Sequence, residues 1–294
     1  MIDQVTIIIR SVGERTEELC KQLILDQGVP EKNLFIIREK PFSKAMRVGY
    51  QKGIDNGLKW TYCIDADVLL RKGAVLEMLE LAEKQPDEVF TISGRMVDKF
   101  FNTDRRVGNH LFRTSSLSSM ISHIAPYEKE GIRPETDAKN KLIEKGGVEH
   151  KVDGIFGLHD FEQHYEDIAR KTFVHANKHV EYLGEFVPYW KDNVVNDDDF
   201  KAALLGFSEG LKDFGEVKIN DDEFTDLKLS VQNILGKKST DLDDFEISGE
   251  EKINKVIDEY IKMNKFAPSH GYRQIYKLLK SKFKYDLKSL FGKN

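Results

Sequence analysis

The chain has 294 residues, of which 40% are hydrophobic and 32% charged, with a formal net charge of −5. Such a balance supports a substantial core in one large domain or a domain with an appendage, excludes a general nucleic-acid binder for want of basic charge, and contains no apolar run of membrane-spanning length. The only two cysteines, Cys20 and Cys63, both lie in apolar patterns, which excludes a disulfide framework and reads as two buried thiols in a reducing compartment.

Met1-Ile2-Asp3-Gln4 leads straight into Val5-Thr6-Ile7-Ile8-Ile9, a short continuous β-branched run that predicts a buried strand and no signal peptide, so a cytoplasmic location is expected. A turn follows at Ser11-Val12-Gly13, then a helix from Thr16 to Gln27 with Leu19, Cys20, Leu23 and Ile24 on one face, stopped by Gly28-Val29-Pro30. Leu34-Phe35-Ile36-Ile37 is a second strand. A helix capped by Ser43 and ended by Asn56-Gly57 comes next, carrying Ala45, Val48, Gly49 and Ile54 at helical spacing. The third strand, Trp60 to Ile64, runs into Asp65-Ala66-Asp67. A helix from Gly73 to Lys84 and a fourth strand, Val89 to Ser93, follow. Strands alternating with helices argue for a parallel α/β sheet with right-handed crossovers.

Past Gly94 the pattern loosens. Asn109 to Arg113 reads as a short strand, Pro134 to Glu144 as a helix with proline in its first turn, and Val148 to Val152 as another strand. A long helical stretch is expected from Gly157 to about Leu183. From about Asn193 the chain turns helical and charged with no strand signal, giving an expected division into a domain of residues 1–192 and a helical C-terminal region of residues 193–294.

The stretch from Trp60 to Asp67 carries the strongest chemical signal. Two carboxylates spaced i, i+2 at the end of an apolar strand converge on one point if the chain turns off the sheet there. Mg²⁺ and Mn²⁺ take oxygen ligands and keep positions open for substrate phosphates. Open α/β sheets bind ligands at the carboxyl ends of their strands. Asp65 and Asp67 are therefore a half-site for a divalent cation, whereas Asp241 and Asp243, in a polar stretch, read as a solvated loop. A rival pair, His175 and His179, has the i, i+4 spacing of two metal-binding imidazoles but lacks the glutamate of a His-Glu-x-x-His motif, and reads as a wet helix face.

Lys44 to Tyr50, followed by Tyr62-Cys63-Ile64-Asp65-Ala66-Asp67, resembles the family-2-like glycosyltransferases of the GT-A fold, in which a Lys/Arg-Ala-x-x-x-Gly helix leads into a strand ending in Asp-x-Asp. The resemblance covers about residues 5 to 160. It implies a mostly parallel α/β sheet flanked by helices, with a Rossmann-like half that binds a nucleotide sugar and an acceptor-binding half behind it. The helical C-terminal region lies beyond it. It further implies that Asp65 contacts the donor's nucleoside or ribose and that Asp67 holds a Mn²⁺ or Mg²⁺ bridging the diphosphate. His159 is the candidate third ligand, since many such enzymes use a histidine from the later part of the fold. Glu135-Thr136-Asp137 resembles the family's acidic helix start, which supplies the catalytic base; the usual adjacent pair is split here, so either carboxylate is a candidate. Arg10 and Lys44 are candidate diphosphate contacts, Glu14 a candidate nucleotide contact, and Arg113 a candidate for phosphates or acceptor. The sequence departs from the family at Arg10-Ser11-Val12-Gly13-Glu14, where Asn-Glu is usual, and at Arg47, where Asn is common. The processive synthases' Gln-x-x-Arg-Trp motif is absent.

The expected function is thus transfer of one sugar from a nucleotide donor, taken as a UDP-sugar because UDP is the commonest donor in this fold, to a glycan, lipid-linked or protein hydroxyl. Alternatives are a sugar-phosphate nucleotidyltransferase and a non-catalytic nucleotide-sugar-binding protein. The segment holding Tyr272, Tyr276, Leu279, Phe283, Leu287 and Leu290 among lysines is a basic amphipathic helix. Its apolar face either packs on its own domain, the favoured reading, or lies on an anionic membrane surface.

Overall fold

The computed structural model describes residues 1–126, 133–178, 183–212 and 224–264. The chain divides into two compact units, Met1–Asn254 and Lys255–Asn294. His179 and the basic segment from Tyr272 to Lys293 lie outside the described residues.

The first unit is built on a curled sheet of eight strands: β1 (Val5–Arg10), β2 (Leu34–Ile37), β3 (Trp60–Asp65), β4 (Val68–Leu70), β5 (Val89–Asp98), β6 (Thr103–Arg105), β7 (Asn109–Arg113) and β8 (Val148–His159), ordered β2-β1-β3-β7-β5-β8-β4 with β6 beside β5. The expected parallel order holds through β2-β1-β3. Beyond β3 the sheet is mixed, because β7 runs antiparallel to both β3 and β5 while β8 returns parallel to β5.

Among the described residues this unit has nine complete helices: α1 (Glu17–Leu25), α2 (Phe42–Asn56), α3 (Ala74–Glu83), α4 (Leu117–His123), α5 (Pro134–Ile143), α6 (Tyr165–Lys178), α7 (Leu183–Asn193), α8 (Asp198–Gly210) and α9 (Thr225–Leu235); α10 (Glu250–Asn264) begins in it and belongs mostly to the second unit. Side chains alternate across a strand. Ile7 and Ile9 of β1, with Tyr62 and Ile64 of β3, therefore pack with Cys20 of α1 and Met78 of α3 on one face. Ile8 and Cys63 pack with Met46 of α2 and Met120 of α4 on the other. This explains the uninterrupted apolar runs of β1 and β3: strands covered on both faces have no polar side to show. It also places the two thiols on opposite faces, where both are buried and free.

α2 lies close on the sheet because it is small where it touches. A Cβ on Gly49 would stand 2.8 Å from Ile8 Cγ2, and one on Gly53 2.5 Å from Thr61 Oγ1.

Two expectations are corrected. β8 runs to His159, well past Val152, because its later half pairs with both β5 and β4. The helix expected from Gly157 begins instead at Tyr165, after a loop in which Asp160 and Glu162 both take left-handed φ values, +65° and +58°.

The helical region after residue 193 contributes α8 and α9, which pack against α6 within the first unit. The crossing of α6 and α8 is tight: a Cβ on Gly206 would meet the Ala169 carbonyl oxygen at 2.0 Å. A third apolar cluster, with Phe100, Ile168, Trp190, Phe200 and Phe207, fixes α6, and Trp190 Nε1 donates to the Phe100 carbonyl at 2.7 Å. α6 carries two of the basic groups at the site.

Candidate active site

β3 ends at Asp65 and the chain turns through Ala66 and Asp67 into β4, which is not β3's neighbour but the strand beyond β8. The Asp-x-Asp segment therefore bridges the curled sheet. It is pinned there by backbone and side-chain hydrogen bonds. Asp65 N donates to the Gly108 carbonyl at 2.8 Å and Ala66 N to the Arg10 carbonyl at 2.9 Å. Thr16 Oγ1 donates to the Ala66 carbonyl at 2.7 Å.

Pairing of β4 with β8 sets Val68 opposite His159, which brings Asp67 to the end of β8. Pairing of β5 with β8 sets Asp98 beside His159. The result is a buried cluster. Ligand atoms of Asp67, His159 and Asp160 all lie within 4.8 Å of one another. His159 Nδ1 is 2.8 Å from Asp98 Oδ2 and 3.1 Å from Asp160 Oδ2. Asp98 is itself held by Arg105 Nε at 2.6 Å and by the backbone N–H groups of Phe100 and Phe101, both at 3.1 Å. This back-side support orients the imidazole with Nδ1 toward carboxylates and Nε2 toward Asp67, as carboxylates bonded to the far nitrogen do for metal-ligating histidines. Nε2 stands 3.7 Å from Asp67 Oδ1, a buried oxygen with no hydrogen-bond partner among the described residues.

Lys171 of α6 reaches the same cluster, and its Nζ bonds both Asp67 Oδ2 and Asp160 Oδ1. Burial opposes ionisation of Asp67, but Lys171 and then His159 outweigh it and hold its pKa down at about 2. Burial likewise presses the His159 pKa down, yet Asp160, Asp67 and Asp98 together raise it.

Asp65, two residues away, lies outside this cluster. Its Oδ1 accepts from Arg10 Nε at 2.7 Å, and Arg10 Nη1 reaches Glu135 Oε1 at 2.8 Å. Glu135 also accepts from Tyr50 Oη at 2.9 Å and stands 3.5 Å from His110 Nε2. Despite burial, Arg10 first, with His110 and Lys139, holds the Glu135 carboxyl far below the usual carboxylate range.

A cavity of about 280 Å³ opens beside these groups, lined among others by Arg10, Ser11, Glu14, Phe42, Asp65, Asp67, Arg170 and Lys171. Glu14 accepts from Ser11 Oγ at 2.8 Å and from Val12 N at 2.7 Å. Its pKa is raised by burial and by nearby Asp67.

Of the residues expected from sequence, the structure brings Arg10, Glu14, Asp65 and Asp67 to the cavity and His159 to Asp67. The others go elsewhere. Glu135 is absorbed as the counter-charge of Arg10, because α5 turns it inward. Asp137 is exposed on the other side of α5, in a separate shallow depression with His123 and Lys141. Arg113 lies at the far end of β3, paired in register with Trp60, and donates to the carbonyls of Val89 and Gln85 at 3.0 and 2.8 Å. Lys44, half exposed, pairs with Glu39 at 2.7 Å near the cavity rim.

Sequence reasoning missed Asp160, Asp98, Arg170 and Lys171. Asp160 follows His159, and adjacent residues of an extended chain point apart; only the left-handed turn at Asp160 brings both to one side.

No family model matches the chain and no characterised protein matches it in sequence. Similar solved structures include the mannosyltransferase PcManGT from Pyrobaculum calidifontis in complex with GDP-Man and Mn²⁺, at 10% identity and a TM-score of 0.43, covering 99% of this chain and 88% of that one. A glycosyltransferase involved in glycosylation of the major capsid of PBCV-1 has 12% identity and a TM-score of 0.37, covering 51% of this chain and 82% of that one. A cytidylyltransferase from Leptospira borgpetersenii has 14% identity and a TM-score of 0.36, covering 60% and 87%. These neighbours include both glycosyltransferases and a nucleotidyltransferase.

Proposed function

We propose that the protein is a divalent-metal-dependent glycosyltransferase that moves one sugar from a nucleotide-sugar donor to an acceptor hydroxyl. The observation that carries this reading is the buried Asp67–His159–Asp160 cluster, with its unpartnered Asp67 Oδ1, opening onto a cavity lined by Arg10, Arg170 and Lys171. An imidazole nitrogen and carboxylate oxygens are a donor set that fits Mn²⁺ or Mg²⁺. The back-side contact from Asp98 supports His159 as a ligand. When bound, the ion supplies charge neutralisation on the leaving diphosphate, a contribution of several kcal/mol.

The chain's own groups supply the rest. Arg170 and Lys171 add positive charge on the cavity wall where the diphosphate is proposed to lie, and charge there acts strongly where water is excluded. Asp65, oriented by Arg10, accepts hydrogen bonds from the nucleoside. Glu14 is the wall carboxylate best suited to take the acceptor's proton. Burial and nearby Asp67 raise its pKa, and a positioned base contributes roughly 10²–10⁴-fold. Glu135 serves by locking Arg10.

A glycosyl rather than nucleotidyl transfer is favoured by the loop after β1. It holds a single glycine, Gly13, and offers the Glu14 carboxylate to the cavity, where a triphosphate would call for a row of backbone N–H groups.

The test is a product assay with UDP- and GDP-sugars, Mn²⁺ and a panel of sugar acceptors. Nucleoside diphosphate is expected as product, and Asp67→Asn is expected to lower the rate by roughly 10³-fold, the equivalent of ~4 kcal/mol. Pyrophosphate release from a nucleoside triphosphate and a sugar phosphate would assign nucleotidyl transfer instead. Neither product, with a nucleotide sugar still raising the melting temperature, would mark a binding protein.

A further inference from the structure

The cluster of Asp67, His159 and Asp160 already holds a cation. Lys171 Nζ sits between Asp67 Oδ2 and Asp160 Oδ1, bonded to both, and α6 is anchored behind it by α8 and the aromatic cluster around Trp190. The lysine's grip is incomplete. Asp67 is 6% exposed, yet its Oδ1 has no hydrogen-bond partner and faces His159 Nε2 at 3.7 Å. One ammonium satisfies one oxygen of each carboxylate and leaves Asp67 Oδ1 without a hydrogen bond, with the His159 ring as its nearest charge partner. Lys171 also lines the cavity, and its side chain is 20% exposed, so the ammonium has an aqueous space to move into.

We propose that Lys171 is an exchangeable internal counter-ion: it stabilises the acidic cluster of the metal-free protein, and a divalent cation binds by displacing its ammonium into the cavity. The proposal rests on the reading of Asp67, His159 and Asp160 as ligands and adds what controls their occupancy. An ammonium is a compact charge on a flexible stem, able to leave as a unit. Taking it away removes both a competitor for two ligand oxygens and a like charge beside the incoming ion. Metal affinity in the absence of nucleotide is therefore set below what the ligands alone would give. The displaced Nζ then stands on the wall where the diphosphate is proposed to lie, so the group that opens the cation site also becomes available to the donor's anion.

The experiment is titration of the full-length protein with MnCl₂ alone, followed by electron paramagnetic resonance of free Mn²⁺, in the wild type, K171M, K171R, D67N and the double variant K171M/D67N. K171M is expected to bind Mn²⁺ at least tenfold more tightly than the wild type. K171R, which keeps the charge, is expected to stay within threefold of it. Melting temperature gives a second readout independent of activity. Without metal, K171M leaves the carboxylates facing each other and is expected to melt below the wild type, and Mn²⁺ is expected to raise it by more than it raises the wild type. K171M binding Mn²⁺ no more tightly than the wild type, while D67N abolishes binding, would overturn the exchange and leave the ligand assignment standing. Undiminished binding in K171M/D67N would place the ion elsewhere and remove both. Should K171M prove too unstable to titrate at 25 °C, its recovery of a wild-type melting temperature on adding Mn²⁺ supports the exchange, and failure to recover overturns it.

Discussion

Asp65 and Asp67 are two residues apart on one turn, and their surroundings differ in kind. Asp65 faces a guanidinium that is clamped from behind by Glu135, which Tyr50 and His110 hold in turn. Asp67 faces an ammonium on a separate helix and keeps one oxygen unpartnered. Arginine's planar fork serves two carboxylates at once and does not give up its charge, whereas lysine is a single movable point charge. The first arrangement suits a fixed template and the second a place where another cation can enter. The Arg10 side is therefore expected to answer for stability and the Lys171 side for ligand binding.

The largest effect that would break this comparison lies on the Arg10 side. Glu135→Gln removes one partner of a buried ion pair and is expected to cost roughly 3–5 kcal/mol of stability in urea unfolding, with little change in Mn²⁺ affinity of the folded protein. A shift in metal affinity with unchanged stability would reverse the assignment.

His110, behind the same clamp, gives a somewhat smaller effect read through pH. Burial first, and then Lys139, hold its pKa down at about 4 against an ordinary 6.5, although Glu135 pulls the other way. The unfolded chain then takes up this proton before the folded one does. Stability is full above pH ~6.5 and falls as pH drops toward ~4, by a limit of about 3 kcal/mol. His110→Leu should flatten the stability profile across that window, and an unchanged slope would show that His110 is not its source. Glu135 adds its own acid sensitivity only lower, below its unfolded pKa near 4.5, since its folded pKa is depressed.

Asp98 sharpens the other half of the comparison. Asp98→Asn keeps the shape but weakens the hold on His159 Nδ1, and changing the partner behind a metal-ligating histidine typically costs roughly 10–100-fold in metal affinity. Isothermal titration with Mn²⁺ measures it; an unchanged affinity would remove His159 from the ligand set. The smallest effect is expected at Asp137, exposed and away from the cavity. Asp137→Asn should leave transfer rates within twofold, and a loss of 10²-fold or more would return it to the role of base.

The α/β class and the strand–helix order through residue 93, apart from the three-residue β4, could be read from the chain. Those features depend on local pattern: β-branched runs, helical periodicity, and glycines such as Gly57, whose φ of +69° ends α2. The composition of the site could not be read in the same way. Glu135 and Asp137 look equivalent in sequence, yet two residues of helix, roughly half a turn, send the first inward to Arg10 and the second to solvent. Arg113 looked like a site cation until antiparallel pairing with β3 carried it to the strand's opposite end.

By itself, then, the sequence determined the longer strands and helices of the first ninety or so residues and where acidity breaks an apolar strand, because both are set by side chains near in the chain. Only the tertiary structure decided which groups meet. The register of β4 and β5 against β8 chose His159 and Asp98, the left-handed turn at Asp160 aimed that carboxylate, and the packing of α6 against α8 delivered Lys171. Strand pairing and helix packing join positions about a hundred residues apart, and no local pattern in the chain encodes a contact at that range.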